Sequence, residues 1–146
     1  MERRYEKIHP VTETEVLAAI ARDDVERLRL IPIELGMHHQ NWKFIQDIAV
    51  RLSEHPDPSV RHNALLGIEY AARFRGRVEK NIVKPVLLRA LRDQDPIVVA
   101  QAETVVASVN RLMGWKIGGA KAQREREARY EAARPCRQEG LPPELG

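Results

Sequence analysis

Asp57-Pro58 and Asp95-Pro96 stand 38 residues apart, and the residues that follow each pair correspond. The same shift takes Val60 to Val98, Ala64 to Ala102, Ile68 to Val106, Arg73 to Arg111, Phe74 to Leu112 and Gly76 to Gly114. With one residue of slack in the turn, Phe44, Ile48 and Leu52 map onto Val83, Leu87 and Leu91. An internal period of about 40 residues made of two helices signals a helical solenoid. A single hairpin cannot bury its own apolar face, and stacking hairpins builds one continuous core.

The flanking sequence reads as helix throughout. Thr12 and Glu15 have capping-box spacing, which predicts a first helix from about Glu13 to Arg22. Asp23 with Glu26 repeats the signal, and a second helix runs through Val25, Leu28, Ile31 and Leu35 to Gly36, with a kink or break expected at Pro32. Asn41 caps a third helix carrying Trp42, Ile45, Ile48, Ala49 and Leu52 on one stripe. Asp57 caps the fourth, Pro58 suits its first position, and Val60, Ala64, Gly67, Ile68 and Ala71 face inward. The fifth turns Ile82, Val83, Val86, Leu87, Ala90 and Leu91 inward; the sixth does so with Val98, Ala102, Val105, Val106 and Val109, up to Gly114. No stretch alternates with strand period, so the expected fold is all-α: a short α-solenoid of about three helical hairpins, six helices in all. The expected division is an N-terminal arm 1–10, the solenoid 11–114 and a charged C-terminal helix or flexible tail 115–146. Gly118-Gly119 opens that tail, and Lys121/Glu125 and Glu125/Arg129 have helical i,i+4 spacing within it.

Charge is unevenly spread. The formal net of +3 conceals −4 over residues 11–60 and +4 over residues 61–114, with +2 in the tail. That dipolar body is not the profile of a dedicated DNA binder, and it suits a protein partner that is itself patchy. No apolar run approaches bilayer length, so no membrane association is expected. Met1-Glu2-Arg3-Arg4-Tyr5 lacks the apolar core of a secretion signal. The lone cysteine, Cys136, excludes an intramolecular disulfide framework and is consistent with a reducing, cytoplasmic compartment.

Lys84-Pro85-Val86-Leu87-Leu88-Arg89-Ala90-Leu91-Arg92-Asp93-Gln94-Asp95-Pro96-Ile97-Val98 resembles the HEAT repeat, with its helix-A proline and its Asp-Pro entry to helix B. His55-Pro56-Asp57-Pro58-Ser59-Val60-Arg61 matches the same turn and includes the family's Val-Arg pair. The resemblance implies that Arg61 bonds to a neighbouring repeat. In the second copy Val99 replaces that arginine, which fits a terminal repeat with no neighbour to reach. With Thr12-Glu13-Thr14-Glu15 and Asn41-Trp42, the chain is also similar to small bacterial HEAT-like proteins, some of which are immunity proteins of polymorphic or contact-dependent toxins. That similarity implies a cognate protein toxin as partner, neutralised by occlusion of its active site or of another essential surface.

Constellations that carry chemistry are missing from the pattern. His38 and His39 are adjacent and would diverge on a helix, and no HExxH or CxxC motif occurs, so no metal or other cofactor is expected. There is no nucleophile elbow or glycine-rich phosphate loop, and Asp23-Asp24 and Asp93/Asp95 sit where helix N-termini need carboxylates. The expected function is therefore non-catalytic protein binding. The alternatives are a general HEAT-repeat scaffold without a toxin partner and a nucleic-acid-binding HEAT protein. Arg73, Arg75, Arg77, Lys80, Lys84, Arg89 and Arg92 would carry the latter, but Glu69, Glu79 and Asp93 interrupt them. Opposite the buried stripe of the fourth helix lie His62, Leu66, Glu69 and Arg73, with Asn63 and Tyr70 beside them. Gln101, Thr104, Ser108 and Arg111 continue this surface on the sixth helix, and together these ten residues form the expected partner-binding face.

Overall fold

The computed structural model describes residues 11–118 together with Arg124, Glu125, Ala128, Arg129, Glu131 and Ala132. The chain separates into two units, Met1–Trp115 and Lys116–Gly146. The described residues of the first unit form six α-helices and no strand: α1 Glu13–Arg22, α2 Val25–His38, α3 Trp42–Leu52, α4 Pro58–Tyr70, α5 Lys80–Ala90 and α6 Pro96–Met113. α4 runs on into a π-helical turn, Ala71–Arg75. In the second unit the six described residues beyond Gly118 are all helical. The arm 1–10, Lys121 and Cys136 lie outside the described residues.

Short polar side chains set the helix starts, because each satisfies amide groups that the helix itself leaves unpaired. Thr12 and Glu15 make the full capping box on α1. At the next turn the cap differs from the expectation: Asp24, not Asp23, accepts from the Arg27 N–H. Asp23 instead closes α1 in the left-handed conformation, φ 52°, which a short polar side chain tolerates better than most. Asn41 accepts from the Lys43 and Phe44 amides, while Asp57 and Asp95 accept from Ser59 and Ile97. Gly76 and Gly114, at φ 70° and 73°, end the fourth and sixth helical stretches as left-handed caps. α5 borrows its cap from another helix: the Gln46 side chain, fully buried on α3, accepts from the Glu79 N–H at 2.6 Å and donates to the Glu79 carboxylate at 2.8 Å.

The even-numbered helices pack in succession, α2 on α4 and α4 on α6, with α1, α3 and α5 against their partners and α3 against α5. Leu28, Ile31, Leu35, Ile45, Leu65, Ile68 and Leu87 are fully buried in the resulting core. Each contributes about 1.5–3 kcal/mol relative to exposure. Of the kink or break expected at Pro32, the break does not occur: α2 runs through Pro32 as one helix. Pro32 lies against Gly67 of α4, where an added Cβ would stand 3.1 Å from the proline's own Cβ. The approach is closer still one turn on, since a Cβ at Gly36 would fall 2.6 Å from the Tyr70 side chain. Two glycines thus let α2 and α4 come together at a distance that larger residues would forbid.

Every boundary of the second helix pair lies 38 residues beyond its counterpart, from Trp42 and Lys80 through Leu52 and Ala90 to Gly76 and Gly114. Burial follows the same shift, with Ile45 and Val83, Ile48 and Val86, Ala49 and Leu87, and Leu52 and Ala90 all buried. The one-residue slack expected in the turn is therefore absent. Ile82 is exposed and Leu91 half-buried, whereas both were expected inside.

Within each pair, the first residue of the leading helix meets the residue just after the left-handed glycine. In one pair Arg77 lies over the Trp42 ring at 4.9 Å, and in the other Lys80 lies over the Trp115 ring at 5.9 Å. Aromatic and cation have exchanged places, and the contact is kept. Trp42→Lys and Arg77→Trp alone should each cost about 0.5–1 kcal/mol. The double swap should recover most of that in urea unfolding, and strictly additive losses would exclude a conserved pairing.

Candidate functional site

Three turns on one edge of the first unit are joined by charged side chains. His55 accepts from the Asp57 N–H through Nδ1 at 3.0 Å, which leaves Nε2–H to donate to Asp23 at 2.7 Å. Asp93 holds the equivalent place in the last turn and accepts from the Asp95 N–H at 2.9 Å. Between them lies Arg61, whose Nε and Nη2 donate to the two Asp93 oxygens at 2.9 Å each. Its Nη1 donates to the His55 and Pro56 carbonyls. Arg61 thus reaches out of its own helix pair, as the resemblance led one to expect. Hydrogen bonding from Arg61 holds the Asp93 carboxyl below the usual carboxylate range, against the opposing effect of burial, and the same bond raises Arg61.

The structure distributes the ten expected partner-binding residues unevenly. Arg73, Thr104 and Arg111 are exposed, and His62, Asn63, Leu66, Tyr70 and Gln101 are half-buried. Glu69 and Ser108 are buried instead, 8% and 6% exposed, with the Ser108 hydroxyl donating to Glu69 at 2.9 Å across the α4–α6 seam. Both stand on an inward-facing side, so they do not belong to an outer face. Glu69 also pairs with Arg73 at 2.6 Å. Asn63 is committed structurally, because its amide donates to the Arg29 carbonyl of α2 and its oxygen accepts from His62. Tyr70 packs on Phe74 with the two rings tilted by 40° and their centroids 5.4 Å apart.

Two features of this surface escaped the sequence reading. Ile97, at the second position of α6, is 65% exposed, more than any other large hydrophobic residue among those described. Beside it a pocket of about 320 Å³ opens between the first turns of α4 and α6, lined by His62, Asn63, Pro58 and Val98 among others. The repeat shift places Ile97 where α4 carries Ser59, a residue whose hydroxyl and amide both bond Asp57. An apolar residue in a cap position that has no core to enter was the available signal.

Most of the cationic group is engaged. Arg75 donates to the His39 carbonyl, Arg77 and Lys80 cover tryptophans, Arg73 pairs with Glu69, and Arg89 reaches Glu54. Among the described residues no group of three or more His, Cys, Asp or Glu converges as a metal site. No described helix is long and apolar enough to cross a membrane. Compared with known proteins, the chain matches no family profile, no curated protein and no solved structure.

The Arg61–Asp93 pair sets a pH dependence. Because the folded carboxyl titrates below its unfolded value of about 3.9, the unfolded chain binds more protons in that interval. The pair's contribution is complete above that pH and is lost as pH falls through the folded value. Asp93→Asn should lower stability at neutral pH by about 2 kcal/mol, less than for a fully buried pair because both side chains keep some exposure. It should also flatten the acid limb of the stability curve. Asp57 and Glu79, lowered by bonds from Ser59 and from Gln46 and Lys43, retain a residual slope. Urea denaturation between pH 2 and 7 measures both effects, and an unchanged acid limb would contradict the assignment.

Proposed function

We propose that the chain is a non-catalytic protein-binding module, a short HEAT-like solenoid whose partner docks on the solvent side of α4 and α6. The solenoid reading is supported by the constant 38-residue offset of helix boundaries and by the Arg61–Asp93 bond between successive pairs. The observation that carries the binding reading is Ile97, a large apolar side chain left in solvent at the rim of a pocket that His62 also lines. Exposed apolar side chains beside a pocket, rimmed by polar residues, are the usual anchors of protein interfaces. Leu66, Arg73, Gln101, Thr104 and Arg111 extend that surface along the two helices. Engagement of Arg73, Arg75, Arg77, Lys80 and Arg89 within the fold argues against a nucleic-acid strand as the ligand. The similarity of Thr12–Glu15, Asn41-Trp42 and His55–Arg61 to HEAT-like immunity proteins makes a cognate toxin domain the partner to test first.

Co-expression with the product of the adjacent gene provides the test. The expected result is a co-purifying complex and relief of that product's toxicity. Ile97→Asp, a change at an exposed position, should weaken the complex at least about tenfold, roughly 1.4 kcal/mol. A neighbour that is neither toxic nor bound would overturn the immunity reading. A complex indifferent to Ile97→Asp would overturn the docking face.

A further inference from the structure

A second concavity lies away from the Ile97 pocket, along the edge where the turns are joined. It is a cleft of about 510 Å³ between the turn that follows α3 and the turn that follows α5, lined by Ser53, Glu54 and His55 on one side and by Arg89, Arg92 and Gln94 on the other. That volume falls in the range of clefts that hold small ligands or short peptide segments.

The floor of the cleft is already satisfied. Arg61 and Asp93 neutralise each other, and the remaining Arg61 donor group is held by two carbonyls. His55 uses both ring nitrogens, on Asp57 and on Asp23. What remains is cationic and underused. Arg89 is half exposed and reaches Ser53 Oγ and Glu54 through Nη2 alone, at 3.4 Å in each case. Such long contacts are weak, and the Ser53 hydroxyl is already donating to the Val50 carbonyl at 2.6 Å. The Arg92 side chain is exposed and makes no ion pair or hydrogen bond among the described residues. Arg51 and Arg111 are exposed and unpaired as well, but they stand apart from this cleft, whereas Arg89 and Arg92 line it together with donors to spare.

We propose that this cleft is a carboxylate-binding site, formed by Arg89 and Arg92, that takes a glutamate or aspartate side chain from an acidic peptide segment. A planar guanidinium matches a carboxylate with two parallel hydrogen bonds, and a ligand carboxylate would displace the poor contacts of Arg89 with a good one. Gln94 adds an amide able to orient the peptide backbone. The cleft selects a dispersed acidic side chain over a polyanionic strand, because Glu54 stands on its wall and Asp93 on its floor. A continuous row of phosphates would run into both carboxylates, whereas one ligand carboxylate can sit between the arginines.

The site is independent of the toxin reading, since its test needs only the full-length chain and a synthetic peptide. Acetyl-Ala-Glu-Ala-amide titrated into the ¹⁵N-labelled protein should give saturable shifts of the Arg89 and Arg92 side-chain Nε–H signals, with a dissociation constant on the order of 1 mM or below. Arg89→Gln with Arg92→Gln should weaken binding about tenfold, and Lys84→Gln, away from the cleft, should leave it unchanged. Both substitutions fall on exposed side chains, and a retained amide spectrum shows that the fold persists. Unsaturated shifts up to about 10 mM peptide, or equal binding by the double variant, would overturn the proposal. So would an oligothymidylate that binds the same two arginines more tightly than the peptide does.

Discussion

Arg61 is the side chain on which the rest of the helical stack most depends. It sits at the fourth position of α4, yet three of its nitrogens are spent on other segments: two on Asp93 beyond α5 and one on the backbone of the preceding turn. A helix can pack on its neighbour at many rotations and offsets with little change in buried apolar area, because the hydrophobic effect has no direction. A two-pronged bond in a partly desolvated place does have direction, and it fixes where the α5–α6 turn stands relative to the α3–α4 turn. His55 passes the same constraint back to Asp23, so the three turns form one connected edge.

The opposite constraint comes from what is missing. Gly36 and Gly67 remove side chains where α2 crosses α4, and Pro32 lies in the space so created. Proline inside a helix leaves one carbonyl without its usual amide partner. Here the helix persists with Pro32 and its neighbour Ile31 both buried, the proline against Gly67 of α4. The exchanged pairs Trp42/Arg77 and Lys80/Trp115 show the same logic at the repeat ends, where a contact is preserved although neither residue type is.

Much of the fold was legible in the residues. The capping box at Thr12, the caps at Asn41, Asp57 and Asp95, and the glycine stops at Gly76 and Gly114 all depend on neighbours within a few positions, and all six stand where they were expected. Asp23 was misassigned because two adjacent aspartates satisfy the same local rule, and only backbone geometry separates the cap from the residue before it. Less of the surface was legible. Helical periodicity placed Glu69 and Ser108 on an outer face, but both lie on the seam between α4 and α6 and bond each other there. Periodicity assigns a direction around one helix, and a stack covers two flanks of each inner helix as well as its base.

The sequence by itself determined the all-α class, the helix boundaries to within a residue or two, the 38-residue correspondence and the buried stripes, because each of these follows from interactions local along the chain. Only the tertiary structure decided which polar residues are spent within the fold and which remain for a ligand. Asn63, Glu69, Arg75 and Arg77 read as surface and are held by groups between 4 and 39 positions away, whereas Ile97, Arg89 and Arg92 are left facing open concavities. Hydrogen bonds and ion pairs across helices depend on rotation and offset, which periodicity leaves open and which packing settles.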